Sequence, residues 1–188
     1  MKYYTSNYYV SNVKIQVSMI KVYTMILFLL VVSTSSRAQT LYKVEQNGLY
    51  GYVNAKNDTV IACKYIHAHT DSITTLGFVF DHKIKKIICF NNKGEALFYV
   101  VKCDNGPDYI RDGLFRIMND KGLIGFADSL GNVVIEPQFK CAFPFSDGKA
   151  EVTFRGKRKK VPGSHGEKHY WDSKHWFYID KQGFQIKQ

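Results

Sequence analysis

The sequence predicts an all-β fold: tandem antiparallel β-hairpin repeats of about 37 residues, each extended to three strands, behind an N-terminal signal helix. Three observations carry this. Aromatic residues make up 15% of 188, with 13 Tyr and 13 Phe, and flat rings pack well on pleated faces. Short runs of branched and aromatic residues alternate with Gly-, Asn- and Asp-bearing turns. A stretch in the first half of the chain recurs, without a gap, in the second. Hydrophobic residues at 45% with only 4 Pro exclude a disordered or collagen-like chain, and the length suits one domain.

The first element in order is the leader. Lys21 precedes an apolar run, VYTMILFLLVV, from Val22 to Val32, followed by Ser33-Thr34-Ser35-Ser36-Arg37-Ala38. A basic start, a short apolar stretch and small residues at Ser36 and Ala38 form the pattern of a cleaved secretory signal. Eleven helical residues rise about 16 Å, against about 30 Å of hydrocarbon. We therefore expect residues 1–38 to be a signal peptide cleaved near Ala38-Gln39, with export to the periplasm or beyond and no permanent membrane span. Met19 offers an alternative start that gives a leader of ordinary length. Of the formal +10, residues 1–38 hold four bases and no acid, which leaves 22 basic and 16 acidic groups, or +6, for residues 39–188.

The repeats come next. GLYGYVNAKNDTVIACKYIHAH from Gly48 faces GLIGFADSLGNVVIEPQFKCAF from Gly122 at a constant offset of 74. Identities fall at Gly48, Leu49, Gly51, Val60, Ile61 and Ala68, opposite Gly122, Leu123, Gly125, Val134, Ile135 and Ala142. Two periods of 37 make 74, so a middle copy is expected near residue 90, where Ile88-Cys89-Phe90-Asn91-Asn92-Lys93-Gly94 fits with a turn one residue shorter. A partial fourth copy is signalled by Phe177-Tyr178-Ile179-Asp180-Lys181-Gln182-Gly183. The expected copies span about 41–76, 77–110 (degenerate), 111–154 and 170–188, within a domain of 39–188.

Within a copy, Leu123–Ala127 reads as a strand, Asp128–Asn132 as a turn with Gly131 free to take positive φ, and Val133–Ile135 as the return. Ala150–Phe154 alternates as a third strand. Gly125 inside a strand implies close approach of neighbouring backbone or ring. A lone hairpin is marginal in water, so each copy must bury its aromatic face against the next. Tyr52, Phe90, Phe126 and Tyr178 are the rings expected in that repeat core.

The string Gly-Leu-Ile-Gly-Phe-Ala-Asp from Gly122, continued by Val-Val-Ile-Glu-Pro-Gln-Phe from Val133 and Phe-Ser-Asp-Gly-Lys-Ala-Glu-Val from Phe145, resembles the WG repeat. Tyr50-Gly51 and Ile124-Gly125 stand where that family has Trp-Gly, the last copy has Trp176-Phe177, and Cys63 stands where Pro137 does. The resemblance implies a β-rich, bacterial, often exported interaction or structural module with no shared catalytic residue.

Chemistry is sparse. Residues 155–175 form a basic insertion of about fifteen residues relative to the period, carrying seven bases and two acids, +5. Arg155, Lys157, Arg158, Lys159 and Lys160 are the candidate anion-binding residues, for an acidic polysaccharide or other envelope polymer; the plainer alternative is a solvated loop. Export argues against nucleic acid. Cys63, Cys89, Cys103 and Cys141 are either a disulfide framework with three pairings open, or buried thiols. His67-Ala68-His69 puts two imidazoles on one strand face, and His165, His169 and His175 lie in the insertion, but neither set completes a metal site. No nucleophile, phosphate-loop or dinucleotide motif occurs. The expectation is a non-catalytic binding or structural module of the bacterial cell envelope, with no cofactor and no metal, whose partner is a protein or envelope polymer.

Overall fold

In a computed structural model, residues 39–164 and 168–187 are described. The leader expected over 1–38, the alternative start at Met19, and His165 lie outside them. The described chain is all-β and antiparallel, with no helix among the described residues long and apolar enough to cross a membrane.

Three meanders and a shortened fourth follow one another. The first is β1 (Leu41–Gln46), β2 (Leu49–Val53) and β3 (Thr59–Tyr65), followed by β4 (His67–Ala68) and β5 (Ser72–Ile73). The second is β6 (Leu76–Asp81), β7 (Lys86–Asn91) and β8 (Ala96–Val100), followed by β9 (Lys102–Cys103) and β10 (Gly106–Pro107). The third is β11 (Leu114–Met118), β12 (Ile124–Asp128) and β13 (Val133–Phe139), followed by β14 (Cys141–Ala142). The fourth pairs β15 (Lys149–Thr153) with β18 (Phe177–Asp180), and its third strand is reduced to the bridge between Ile179 and Gln185. Between these two strands lies a separate ribbon, β16 (Lys157–Lys160) with β17 (His169–Asp172).

What repeats most faithfully is a turn. The Oδ1 atoms of Asn54, Asn91, Asp128 and Asp180 each accept the backbone N–H groups two and four residues ahead, at 2.8–3.0 Å. Three residues after each stands a residue at positive φ: Asn57, Gly94, Gly131 and Gly183. Asn and Asp both supply the accepting oxygen, so the two exchange freely here. The first three turns are 37 residues apart and the fourth is 52, so the ribbon adds fifteen to the period.

This register moves the middle copy by one residue. Its turn has the same length as the others, and the position held by Tyr52, Phe126 and Tyr178 is held by Cys89, while Phe90 matches Val53, Ala127 and Ile179. Matching ring to ring misaligns this copy because the turn chemistry, rather than the ring, is what the units share. Ala150–Thr153 likewise opens the fourth meander instead of closing the third.

The two glycines of the repeat have a backbone cause. Between Tyr50↔Tyr65 and Tyr52↔Ile61 the partner strand carries extra residues, and the same bulge recurs between Ile124↔Phe139 and Phe126↔Ile135. The bulged chain crosses directly over the glycine. A Cβ on Gly51 would lie 2.7 Å from Ala62 C and Cys63 N, and one on Gly125 would lie 2.6 Å from Pro137 N. In the middle copy Ile88 holds this position, and there the pairing of β7 with β8 runs straight through Ile87↔Val100, Ile88↔Tyr99 and Cys89↔Phe98.

Three cores form, one at each junction. Tyr52, Ile61, Tyr65 and Ala68 of the first unit meet Val79 and Phe90 of the second. Ile87, Cys89 and Val100 of the second meet Phe115, Ile117 and Ala127 of the third. Phe126, Ile135, Phe139 and Ala142 of the third meet Ala150, Val152 and Ile179 of the fourth. The middle strand of a unit thus gives one side chain to its own core and the next to the core of its predecessor, the alternation of a pleated strand. After the first and third meanders a short strand completes the joint: β4 pairs with β6, and β14 with β15. Tyr178 would face a fourth core, and it is half-buried with Lys149 5.0 Å from its ring.

Candidate functional site: a basic ribbon outside the stack

The ribbon leaves the fourth unit where β15 ends. Thr153, fully buried, places its Oγ1 3.0 Å from Ser173 Oγ and 3.1 Å from the Arg155 carbonyl, tying the two legs together at their base. Trp171 Nε1 donates to the same carbonyl at 2.9 Å. Gly156, at φ +110°, lies beneath that indole; a Cβ there would be 2.5 Å from Trp171 Nε1. Further out, Val161 N–H donates to the Lys168 carbonyl at 2.9 Å.

Register sorts the basic residues by face. The pairs are Lys157↔Asp172, Arg158↔Trp171, Lys159↔Tyr170 and Lys160↔His169. Directly opposed residues share a face and successive ones alternate. One face therefore carries Arg158, Lys160, His169 and Trp171, and the other Lys157, Lys159, Tyr170 and Asp172. Lys159 forms an ion pair with Asp172 on its own face. That hydrogen bond, first among the causes, raises the Lys159 pKa and lowers that of Asp172. Among the described residues no acid pairs with Arg158 or Lys160. All four residues of β16, and Arg155 before it, are exposed.

The remaining sequence-predicted residues are dispersed. Tyr52, Phe90 and Phe126 are buried, the first two in the first junction and Phe126 in the third. All four cysteines are free thiols: Cys89 is buried, its thiol pushed up to about 12 by desolvation, and Cys63, Cys103 and Cys141 are half-buried. Burial likewise raises Cys141. His67 and His69 stack edge to face with ring centroids 4.4 Å apart, over a cavity of about 120 Å³ shared with Lys102 and Asn105. Burial, then His67 and Lys102, lowers the His69 pKa. Among the described residues no three His, Cys, Asp or Glu side chains gather as a metal set.

Two features escape sequence reasoning. A cavity of about 450 Å³ opens between β8 and the β11–β13 edge, lined by Leu97, Tyr99, Met118, Asp120, Val133 and Glu136. Asp108, its side chain 2% exposed, takes Arg116 Nε at 2.9 Å, Nη2 at 2.6 Å and the Arg116 backbone N–H at 2.9 Å, while Nη1 reaches the Ala142 carbonyl at 3.1 Å. No spacing or motif marks this pair in advance.

No curated protein and no solved structure matches the chain. Residues 124–157 match the family model described as a WG containing repeat. The matched stretch runs from β12 through β15, across the third junction, and so takes in the bulge over Gly125, the Asp128 turn and most of one core. By this match residues 124–157 are similar to a WG containing repeat.

Proposed function

We propose that the chain is an exported, non-catalytic binding module of the bacterial cell envelope, and that the β16–β17 ribbon is its binding element for an anionic partner. The observation that carries this is the independence of the ribbon from the stack. β15 pairs directly with β18 from Lys149↔Asp180 to Val152↔Phe177, and no described residue of 155–175 belongs to any of the three cores. An insertion that folding does not need, with seven bases against two acids, is best accounted for by what it meets at the surface. The apolar run and small residues before Gln39 support export. The test is fractionation of producing cells, with mass spectrometry of the mature N-terminus. The proposal expects a chain beginning at or near Gln39, held in the envelope fraction and released at lower salt when residues 156–172 are replaced by a short Gly-Ser turn. An intact precursor in the cytosol, or release at unchanged salt, would overturn it.

A further inference from the structure

The two faces of the ribbon are not equivalent. On one, Asp172 already compensates a lysine; on the other, Arg158 and Lys160 stand two residues apart, about 7 Å along the strand, beside an immobilised indole. Trp171 is held by its hydrogen bond to the Arg155 carbonyl and by the close pass over Gly156, so the orientation of its ring is fixed before any ligand arrives. A fixed aromatic face offers an apolar platform at little cost in entropy, and a guanidinium matches a carboxylate with two parallel hydrogen bonds.

Resting on the binding reading above, we propose that the Arg158–Lys160–His169–Trp171 face of the ribbon binds an acidic polysaccharide, one sugar ring lying on Trp171 and the carboxylates of the chain meeting Arg158 and Lys160. The opposite face takes no specific part. Charge complementarity sets the class of ligand, and the adjoining indole favours a polymer that presents flat apolar sugar faces between its charges.

The experiment titrates the purified full chain with sodium alginate as the acidic polysaccharide. Dextran serves as a neutral control, and single-stranded DNA and phosphatidylglycerol vesicles as other anions; tryptophan fluorescence is followed at several salt concentrations. Two double variants remove the same number of basic charges: Arg158→Ala with Lys160→Ala, and Lys157→Ala with Lys159→Ala. The first is expected to weaken alginate binding about ten-fold (~1.4 kcal/mol) and the second less than about three-fold. Trp171→Ala weakens it comparably, and Trp171→Phe, which keeps a ring over Gly156, restores part of the loss and guards against a folding defect. Alginate binding with equal loss in both double variants would overturn the face assignment and leave the ribbon as a binding element. Binding of DNA or vesicles in place of alginate would overturn the class of ligand. No binding of any of the three anions would overturn both this inference and the proposed function.

Discussion

Substituting Gly125 by Ala isolates the reason the repeat keeps a glycine. The backbone at Gly125 is not in the left-handed region, so an alanine there meets no torsional penalty and the entire effect comes from space. The new Cβ would stand 2.6 Å from Pro137 N and 2.8 Å from Glu136 C, besides touching the Ile135 carbonyl. Ordinary contact with a Cβ begins at 3.4 Å, and the Ile135 carbonyl lies nearer than Pro137 N, so β13 must retreat by more than about 0.8 Å or give up its bulge. These are backbone atoms in a strand whose Ile135 and Phe139 are buried in the third core, and they cannot swing aside as a side-chain tip would. Overpacking of this kind costs about 3 kcal/mol, which at this chain length lowers Tm by roughly 6–12 °C. Equilibrium urea unfolding followed by circular dichroism measures it, with Gly106→Ala as control. That glycine has only His69 Nδ1 at 3.9 Å and ordinary φ, and its substitution is expected to change stability by less than about 0.5 kcal/mol. Gly125→Ala no more destabilised than Gly106→Ala would refute the steric account of the bulge.

Removing Asp108 as Asp108→Ala leaves the half-buried Arg116 guanidinium without its carboxylate, at an expected cost of about 3–5 kcal/mol in the same urea assay; Asp108→Leu with Arg116→Met recovers much of it. The Asp128 carboxyl is held below its ordinary range, first by the Asn132 side chain and then by backbone N–H groups of its turn. A depressed folded pKa gives stability that is present above the unfolded value of about 3.9 and lost as pH falls through the lower folded value. Asp128→Asn, the residue type found at Asn54 and Asn91, is therefore expected to leave stability near pH 7 within about 0.5 kcal/mol and to flatten the loss below about pH 4, read as denaturant midpoints at pH 3 and 7. Cys89, fully buried with its thiol near 12, is expected to escape alkylation at pH 8 until the chain unfolds, as mapped by peptide mass spectrometry; labelling at the rate of Cys63 would contradict its place in the second core.

The architecture was legible because its turns are chemical signatures. Asn54 and Asp128 occupy the same place at an offset of 74, and an accepting oxygen followed three residues later by positive φ is readable from Asn57 and Gly131 alone. Gly125 signalled a close approach, and the approaching group is backbone. Matching ring to ring places the middle copy one residue out of register because Phe90 is a ring and Cys89 is not. Yet Phe90 serves the preceding core, where it meets Tyr65 edge-on, and the rings of its own junction come from Phe98 and Phe115. Cross-unit burial of this kind leaves no mark in a local pattern. The basic run Lys157–Lys160 was plain as charge, but its two faces were not, since they depend on register with β17, and the long connection from Val161 to Lys168 does not fix register as a two-residue turn would. Asp108 and Arg116, eight residues apart in ordinary polar surroundings, carried no signal at all.

The central claim is that each unit keeps its rings dry by lending a side chain to the core of the unit before it. Nuclear Overhauser effects in a uniformly labelled sample test this most directly at the Phe90 ring. The account predicts cross-peaks from Phe90 to the Tyr65 ring, 6.0 Å away across the first junction, and none to Val100, which lies in the second core with Cys89. Contacts from Phe90 to Val100 and Phe115, with Tyr65 silent, would place the middle unit in the other register and contradict the shared-core stack.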